Sequence, residues 1–159
     1  MYLVSTGTRN SMTSLSVITV AGLTAGALDI AATSTLMRTK GIAVEQLLQS
    51  IASGALGPSA FKAGKKTAAA GLFFHFLIAF LAAAIYYGIS RRWMLLLDHP
   101  LISGLCYGIA IHIVMSRIVI PLSAAPKREF SAKAFLTQLI IHIFFVGLPI
   151  ALTVSHLSR

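Results

Sequence analysis

Five ionisable side chains stand inside long apolar stretches of this sequence. They are Asp29, His75, His112, Arg117 and His142. An imidazole titrates near neutral pH, and a carboxylate close to it can exchange a proton with it. In hydrocarbon such a group costs on the order of 2.5 to 3.5 kcal/mol, so a partner or a function must compensate for it. The set therefore indicates a polar site inside a membrane protein.

Four of these side chains are predicted to lie at one depth, with one from each apolar stretch. Counting at 1.5 Å per residue from the lysine-rich side places all four roughly 10 to 12 Å inside. They are Asp29, His75, Arg117 and His142. His112 lies about one turn deeper on the same count. We therefore predict a polar intramembrane layer made of these four residues.

Polar neighbours of this layer are expected to face the interior as well. Thr33 follows Asp29 by one helical turn, and Gln138 precedes His142 by one turn. Residues four apart lie on the same face of a helix. On the third apolar stretch two glycines precede His112 in an i+4 row, which lets another helix approach closely. Thr33, His112 and Gln138 are therefore predicted as secondary members of the site.

Several kinds of chemistry fit this layer, and the sequence leaves them open. In one, Asp29 pairs with Arg117 or a histidine and only links the helices. In another, the histidines titrate and exchange protons with Asp29 along a proton or ion path. In a third, His75 and His142 are the axial ligands of a haem b. In a fourth, these two histidines and Asp29 bind a metal ion. Since no spacing motif supports either group, neither a metal nor another cofactor belongs to the leading prediction.

Motifs of soluble catalysis are missing from the sequence. It contains no P-loop, dinucleotide glycine fingerprint, zinc-protease helix or nucleophile elbow. Cys106 is the only cysteine, which excludes an intramolecular disulfide and a thiolate metal cluster. No nucleophile and base stand at a credible spacing. We therefore favour a non-enzymatic protein that is an accessory or transport-related component.

The composition indicates which elements position the polar layer. Hydrophobic residues make up 57% of the 159 residues and charged residues 11%, whereas a soluble domain carries roughly 25% charged residues. Four apolar stretches each exceed the roughly 20 residues that a helix needs to cross a bilayer. They cover about 13–37, 68–90, 101–124 and 134–157. We predict an all-α integral membrane four-helix bundle that forms a single transmembrane domain over residues 1–159.

An amphipathic helix is predicted between the first and second spans, at about 43–55. Its apolar residues recur with helical period, and they are Val44, Leu47, Leu48, Ile51 and Ala55. The polar residues on the opposite side are Glu45, Gln46, Gln49, Ser50 and Ser53. Such a stripe is typical of a helix at a membrane interface or folded back onto the bundle. We therefore predict one additional interfacial helix with a partner surface.

The formal charge of +9 lies almost wholly in the connections between spans. Basic residues there contact lipid headgroups and set topology, so the lipid bilayer, and not nucleic acid, is the predicted partner. The loops after the first and third spans hold Arg38, Lys40, Lys62, Lys65, Lys66, Lys127, Arg128 and Lys133. The opposite side holds Arg9, Arg91, Arg92 and Arg159. The positive-inside rule then places both termini outside the cytoplasm. Small-residue faces on the spans favour a homo-oligomer or a membrane-protein partner.

Five segments of the chain carry a resemblance to known proteins. They are AGALDIAAT (25–33), LLQSIASGALGPSAF (47–61), HFLIAFLAAAIYY (75–87), YGIAIHIVMSRIVIPLSAAP (107–126) and HIFFVGLPIAL (142–152). Together they resemble a set of small bacterial inner-membrane proteins and, more distantly, the YagU type. In that type a histidine opens a span, a glycine-rich span ends in Pro-Leu, and another histidine lies in the last span. The resemblance implies a multi-pass protein of the bacterial inner membrane with four helices, and it carries no activity over to this chain.

Overall fold

The computed structural model describes residues 12–127 and 129–158. Over these residues the protein is helical and contains no strand. Four helices are long and apolar enough to cross a membrane: α1 (Ser14–Thr39), α3 (Lys65–Ser90), α5 (Pro100–Leu122) and α6 (Ala132–Leu157). Two shorter helices are α2 (Val44–Leu56) and α4 (Leu95–Asp98), and a 3-10 turn follows α2 at Gly57–Phe61. Arg9, Arg128 and Arg159, which enter the charge comparison above, lie outside the described residues.

The ends of the long helices follow local signals in the sequence. Thr13 caps α1 because its hydroxyl accepts a hydrogen bond from the Ser16 amide at 3.2 Å. Ser131 caps α6 in the same way. Pro100 opens α5, where its missing N–H costs nothing. All four long helices begin and end within three residues of the predicted bounds.

Most apolar side chains of the long helices point outward. Only 11% to 28% of the most apolar window of each helix is buried. Large side chains such as Leu15, Ile102 and Leu122 are between 66% and 82% exposed. An outer surface of this kind is unfavourable in water, and it is typical of helices that are surrounded by lipid.

Glycines allow the long helices to approach each other closely. A Cβ on Gly26 of α1 would lie 2.8 Å from the Phe76 ring of α3. A Cβ on Gly108 of α5 would lie 2.5 Å from the Cα of Ile143 in α6, and one on Gly147 would overlap the Gly108 backbone. Because small residues permit such contacts, α1 packs against α3 and α5 packs against α6 almost backbone to backbone.

Both α5 and α6 contain one widened turn ahead of a proline. The π-helical segments are Met115–Val119 and His142–Gly147, and the prolines that follow are Pro121 and Pro149. A proline lacks the N–H of a helical residue and clashes with the carbonyl four residues earlier. In each helix the preceding residue donates its hydrogen bond five residues back, as Leu148 does to Ile143. The second widened turn begins at His142, which is a predicted site residue.

The apolar core lies toward the end of the bundle where α4 packs. It includes Val17 and Ala21 of α1, Tyr86 of α3 and Leu97 of α4, together with buried residues of α6. The Tyr86 hydroxyl bonds to Ser103 at 2.8 Å, so this buried phenol has a hydrogen-bond partner. This packing aligns the long helices and leaves their opposite halves for the polar residues.

Helix α2 packs on α3 and buries residues from both of its predicted sides. Gln49 and Ser53, on the side opposite the apolar stripe, are 5% and 1% exposed, whereas Leu47 and Val44 of the stripe are 8% and 37% exposed. The Gln49 amide donates to the Gly64 carbonyl at 3.1 Å, so its burial leaves that amide satisfied. A Cβ on Gly71 of α3 would overlap the Leu48 carbonyl, so the two backbones touch there. Burial of α2 thus involves Leu47 of the predicted apolar stripe as well as Gln49 and Ser53 on the opposite side.

Candidate functional site

Four ionisable residues lie at one level of the bundle, and each comes from a different long helix. Asp29 is ten residues before the end of α1, and His75 is ten residues after the start of α3. His112 is ten residues before the end of α5, and His142 is ten residues after the start of α6. At 1.5 Å per residue the level is about 15 Å below the lysine-rich end. We call these four residues the His-Asp cluster.

Asp29 and His75 form the first half of the His-Asp cluster. The Asp29 Oδ2 lies 3.9 Å from the His75 Nδ1, and the two side chains are 16% and 11% exposed. The Thr33 hydroxyl donates to the Asp29 Oδ1 at 3.4 Å. Thr33, predicted as a secondary member, therefore lies where the sequence placed it.

The tautomer of His75 follows from its other hydrogen bond. His75 Nε2 lies 2.8 Å from the Gly26 carbonyl oxygen, which can only accept. Nε2 must therefore carry a hydrogen, and Nδ1 is the nitrogen that faces Asp29. Because Gly26 has no side chain, the imidazole of α3 reaches the backbone of α1. The sequence contains that glycine but does not reveal this partner.

His112 and His142 form the second half of the His-Asp cluster. Their Nδ1 atoms are 3.2 Å apart, and His142 Nδ1 also lies 2.9 Å from the Gln138 carbonyl oxygen. Since that carbonyl accepts, His142 Nδ1 carries the hydrogen, which it shares between the Gln138 carbonyl and His112 Nδ1. The hydrogen of neutral His112 is then on Nε2. Gln138 contributes its backbone carbonyl to the site, whereas the sequence prediction was based on its polar side chain.

The two halves of the cluster are linked electrostatically. Asp29 interacts with both His75 and His142, so its charge acts on α3 and on α6. His142 in turn interacts with Asp29 and His75 as well as with its direct partner His112. One carboxyl group thus interacts electrostatically with histidines on two other helices, and a third histidine completes the set. A change of protonation at any member alters the electrostatic energy of the others.

Arg117, predicted as the α5 member of the layer, lies elsewhere. It is five residues before the end of α5, about 7.5 Å deep, and it is exposed. Its guanidinium lies 6.0 Å from the centre of the Phe135 ring. The α5 residue at the level of Asp29 is His112, because α5 ends two residues earlier and α1 two residues later than the sequence suggested.

His112 is the most enclosed member of the cluster. It is 3% exposed, and its Nε2 has no hydrogen-bond partner among the described residues. The Phe135 ring packs edge-on against the imidazole, with centroids 4.4 Å apart. Phe135 was not predicted as a site residue. The sequence feature that could have indicated it is its position two helical turns before His142.

The positions of these side chains bear on the two predicted cofactor alternatives, haem b and a metal ion. An axial haem ligand must turn a ring nitrogen toward the iron, but His75 Nε2 is held by the Gly26 carbonyl and Nδ1 faces Asp29. His75 therefore does not fit axial ligation in this arrangement. Among residues 12–127 and 129–158, no group of three or more His, Cys, Asp or Glu side chains is arranged to hold a metal ion.

Comparison with known proteins adds no relative to this picture. No protein-family model matches the chain, and neither a curated protein nor a solved structure does.

Proposed function

We propose that this chain is a multi-pass protein of the bacterial inner membrane whose His-Asp cluster takes up and releases protons. In this proposal it is an accessory or transport-related component without enzymatic activity. The four apolar helices support the membrane location. The basic residues at the ends of these helices support a position in which those ends lie beside anionic lipid headgroups.

The single observation that carries the proposal is the contact between Asp29 and His75. With Nε2 bound to Gly26, only His75 Nδ1 faces the carboxyl group. A neutral imidazole and an ionised carboxylate would set two electron-rich atoms against each other. A proton on either partner removes this repulsion, so the pair favours holding one proton that both atoms can reach.

The separation of 3.9 Å is that of an ion pair and exceeds a direct hydrogen bond. A proton passes between the two atoms after they approach by about 1 Å, or through one water molecule. The geometry therefore supports exchange between the partners as well as static pairing.

The histidine pair supports the same proposal on the other side of the bundle. The Nδ1–H of His142 is shared between the Gln138 carbonyl and His112 Nδ1. A second proton there would place two N–H groups face to face at 3.2 Å, so it must be accommodated at His142 Nε2 or by opening the contact. His142 thus connects the histidine pair to Asp29.

Proton flux into liposomes tests this proposal. The purified protein is reconstituted with an internal pH-sensitive dye, and the dye response to an external pH step is followed. We expect wild-type flux above that of empty liposomes, and a rate at least about tenfold lower in Asp29→Asn, which removes the proton-accepting group. Glu129→Gln makes the same chemical change at an exposed position outside the cluster and should leave the flux unchanged.

A second pair of variants tests the histidine component. His75→Gln should lower the flux, while His99→Gln at an exposed histidine should not. Wild-type flux equal to that of empty liposomes, or equal flux in Asp29→Asn and wild type, would contradict proton exchange. The cluster would then only hold the helices together.

A further inference from the structure

The arginine that the cluster leaves out is charged and unpaired. Within the described part of the chain, the carboxylate of Asp29 pairs with His75, and Arg117 forms no ion pair with a carboxylate. Its guanidinium lies over the Phe135 ring, which neutralises no charge. An arginine inside an apolar helix needs an anion or water at its head.

The surroundings of Arg117 define what that anion must be attached to. The α5 side chains one turn before and after it, Ile113, Val114 and Ile120, are 49%, 45% and 56% exposed. The guanidinium therefore emerges from an apolar outer surface. A ligand that contacts both the guanidinium and this apolar surface has an anionic head and hydrocarbon chains.

Depth and charge favour a phosphate head. Arg117 lies about 7.5 Å below the end of α5, and an extended arginine side chain carries its guanidinium from that depth toward the headgroups. Exposed basic residues at the same end include Lys127 and Lys133. A guanidinium binds phosphate oxygens in bidentate geometry, and the lysines add attraction for a lipid with net negative charge.

We propose that Arg117, held by Phe135, binds the phosphate of an anionic phospholipid whose acyl chains lie on the outer face of α5. The inference rests on the membrane location in the proposed function. It assigns a ligand to Arg117, and this lipid does not enter the His-Asp cluster. Phe135 connects the two sites, because its ring contacts both Arg117 and His112.

Thermal unfolding in detergent with added lipid tests the inference. Phosphatidylglycerol should raise the wild-type unfolding temperature more than phosphatidylcholine does, and inorganic phosphate should have little effect. In Arg117→Gln, half-maximal stabilisation should need about fivefold more phosphatidylglycerol, the loss expected for one basic contact. Arg117→Lys keeps the charge but lacks the planar guanidinium. The phosphatidylglycerol it needs for half-maximal stabilisation should lie between the amounts for wild type and Arg117→Gln. Arg91→Gln, at an exposed arginine of the opposite end, should respond like wild type.

An unchanged phosphatidylglycerol response in Arg117→Gln would overturn the inference. Equal stabilisation by inorganic phosphate would show a free-anion site instead of a lipid site. The liposome flux assay separates this result from the proposed function, since Arg117 lies outside the cluster. A lipid response that depends on Arg117 without proton flux leaves only the lipid site standing. Flux with an unchanged lipid response in Arg117→Gln leaves only the proton-exchanging cluster.

Discussion

His75 of α3 donates a hydrogen bond from Nε2 to the backbone carbonyl of Gly26 in α1, at 2.8 Å, across 49 positions of sequence. This bond turns the other ring nitrogen toward Asp29. The contact joins helix packing to the orientation of His75, because a side chain at residue 26 would meet the Phe76 ring of α3.

Substitution of Gly26 by alanine should therefore destabilise the bundle. The added Cβ would lie 2.8 Å from the Phe76 ring, and the expected loss is about 1 to 3 kcal/mol, as for overpacking in a core. Unfolding by a denaturing detergent measures it. Gly88→Ala in α3 is the matched control, because nothing lies within 4 Å of its added methyl group, and alanine stabilises a helix relative to glycine. Equal stability of the two variants would argue against a tight α1–α3 contact.

A double-mutant cycle should detect the contact between His112 and His142. Their Nδ1 atoms are 3.2 Å apart, and contacting residues show coupling energies of about 0.5 to 3 kcal/mol. We expect the loss of stability in the double alanine variant to differ from the sum of the single losses by an amount in that range. His112→Ala combined with His156→Ala, at an exposed position near the other end of α6, should be additive. Additivity in both cycles would mean that the histidine pair does not interact.

Cysteine labelling can decide which face of α2 is covered. In a Cys106→Ala background, a cysteine at Val44 should react with a water-soluble maleimide, whereas one at Gln49 should be protected by α3. A cysteine at exposed Lys40 provides the fully reactive reference. The opposite pattern would mean that Gln49 does not lie in the contact between α2 and α3.

The absorption spectrum of the purified protein tests the haem alternative. Because both ring nitrogens of His75 are directed at protein atoms, we expect no Soret band. A band that disappears in His75→Ala and in His142→Ala would contradict this expectation, and it would require the imidazole of His75 to leave Gly26.

Much of the fold could be predicted because its signals are local. A run of apolar residues long enough to cross a bilayer can be recognised without knowing which helices pack against it. A cap such as Thr13 acts within one helical turn. The i+4 row ending at His112 likewise marked a face that a partner helix could approach. The facing of α2 could not be derived in this way, since burial of Gln49 depends on the Gly64 carbonyl, fifteen residues away.

The candidate site divides along the same line. The sequence alone determined that Asp29, His75 and His142 stand at similar depths on different helices, since depth is a count along the chain. Only the tertiary structure decided that His112, and not Arg117, is the fourth member. The ends of α1 and α5 shift the count by two residues each, and the glycine contact between α5 and α6 brings the two imidazoles together. Contacts between helices depend on three-dimensional packing, and a single sequence records only the residues that permit them.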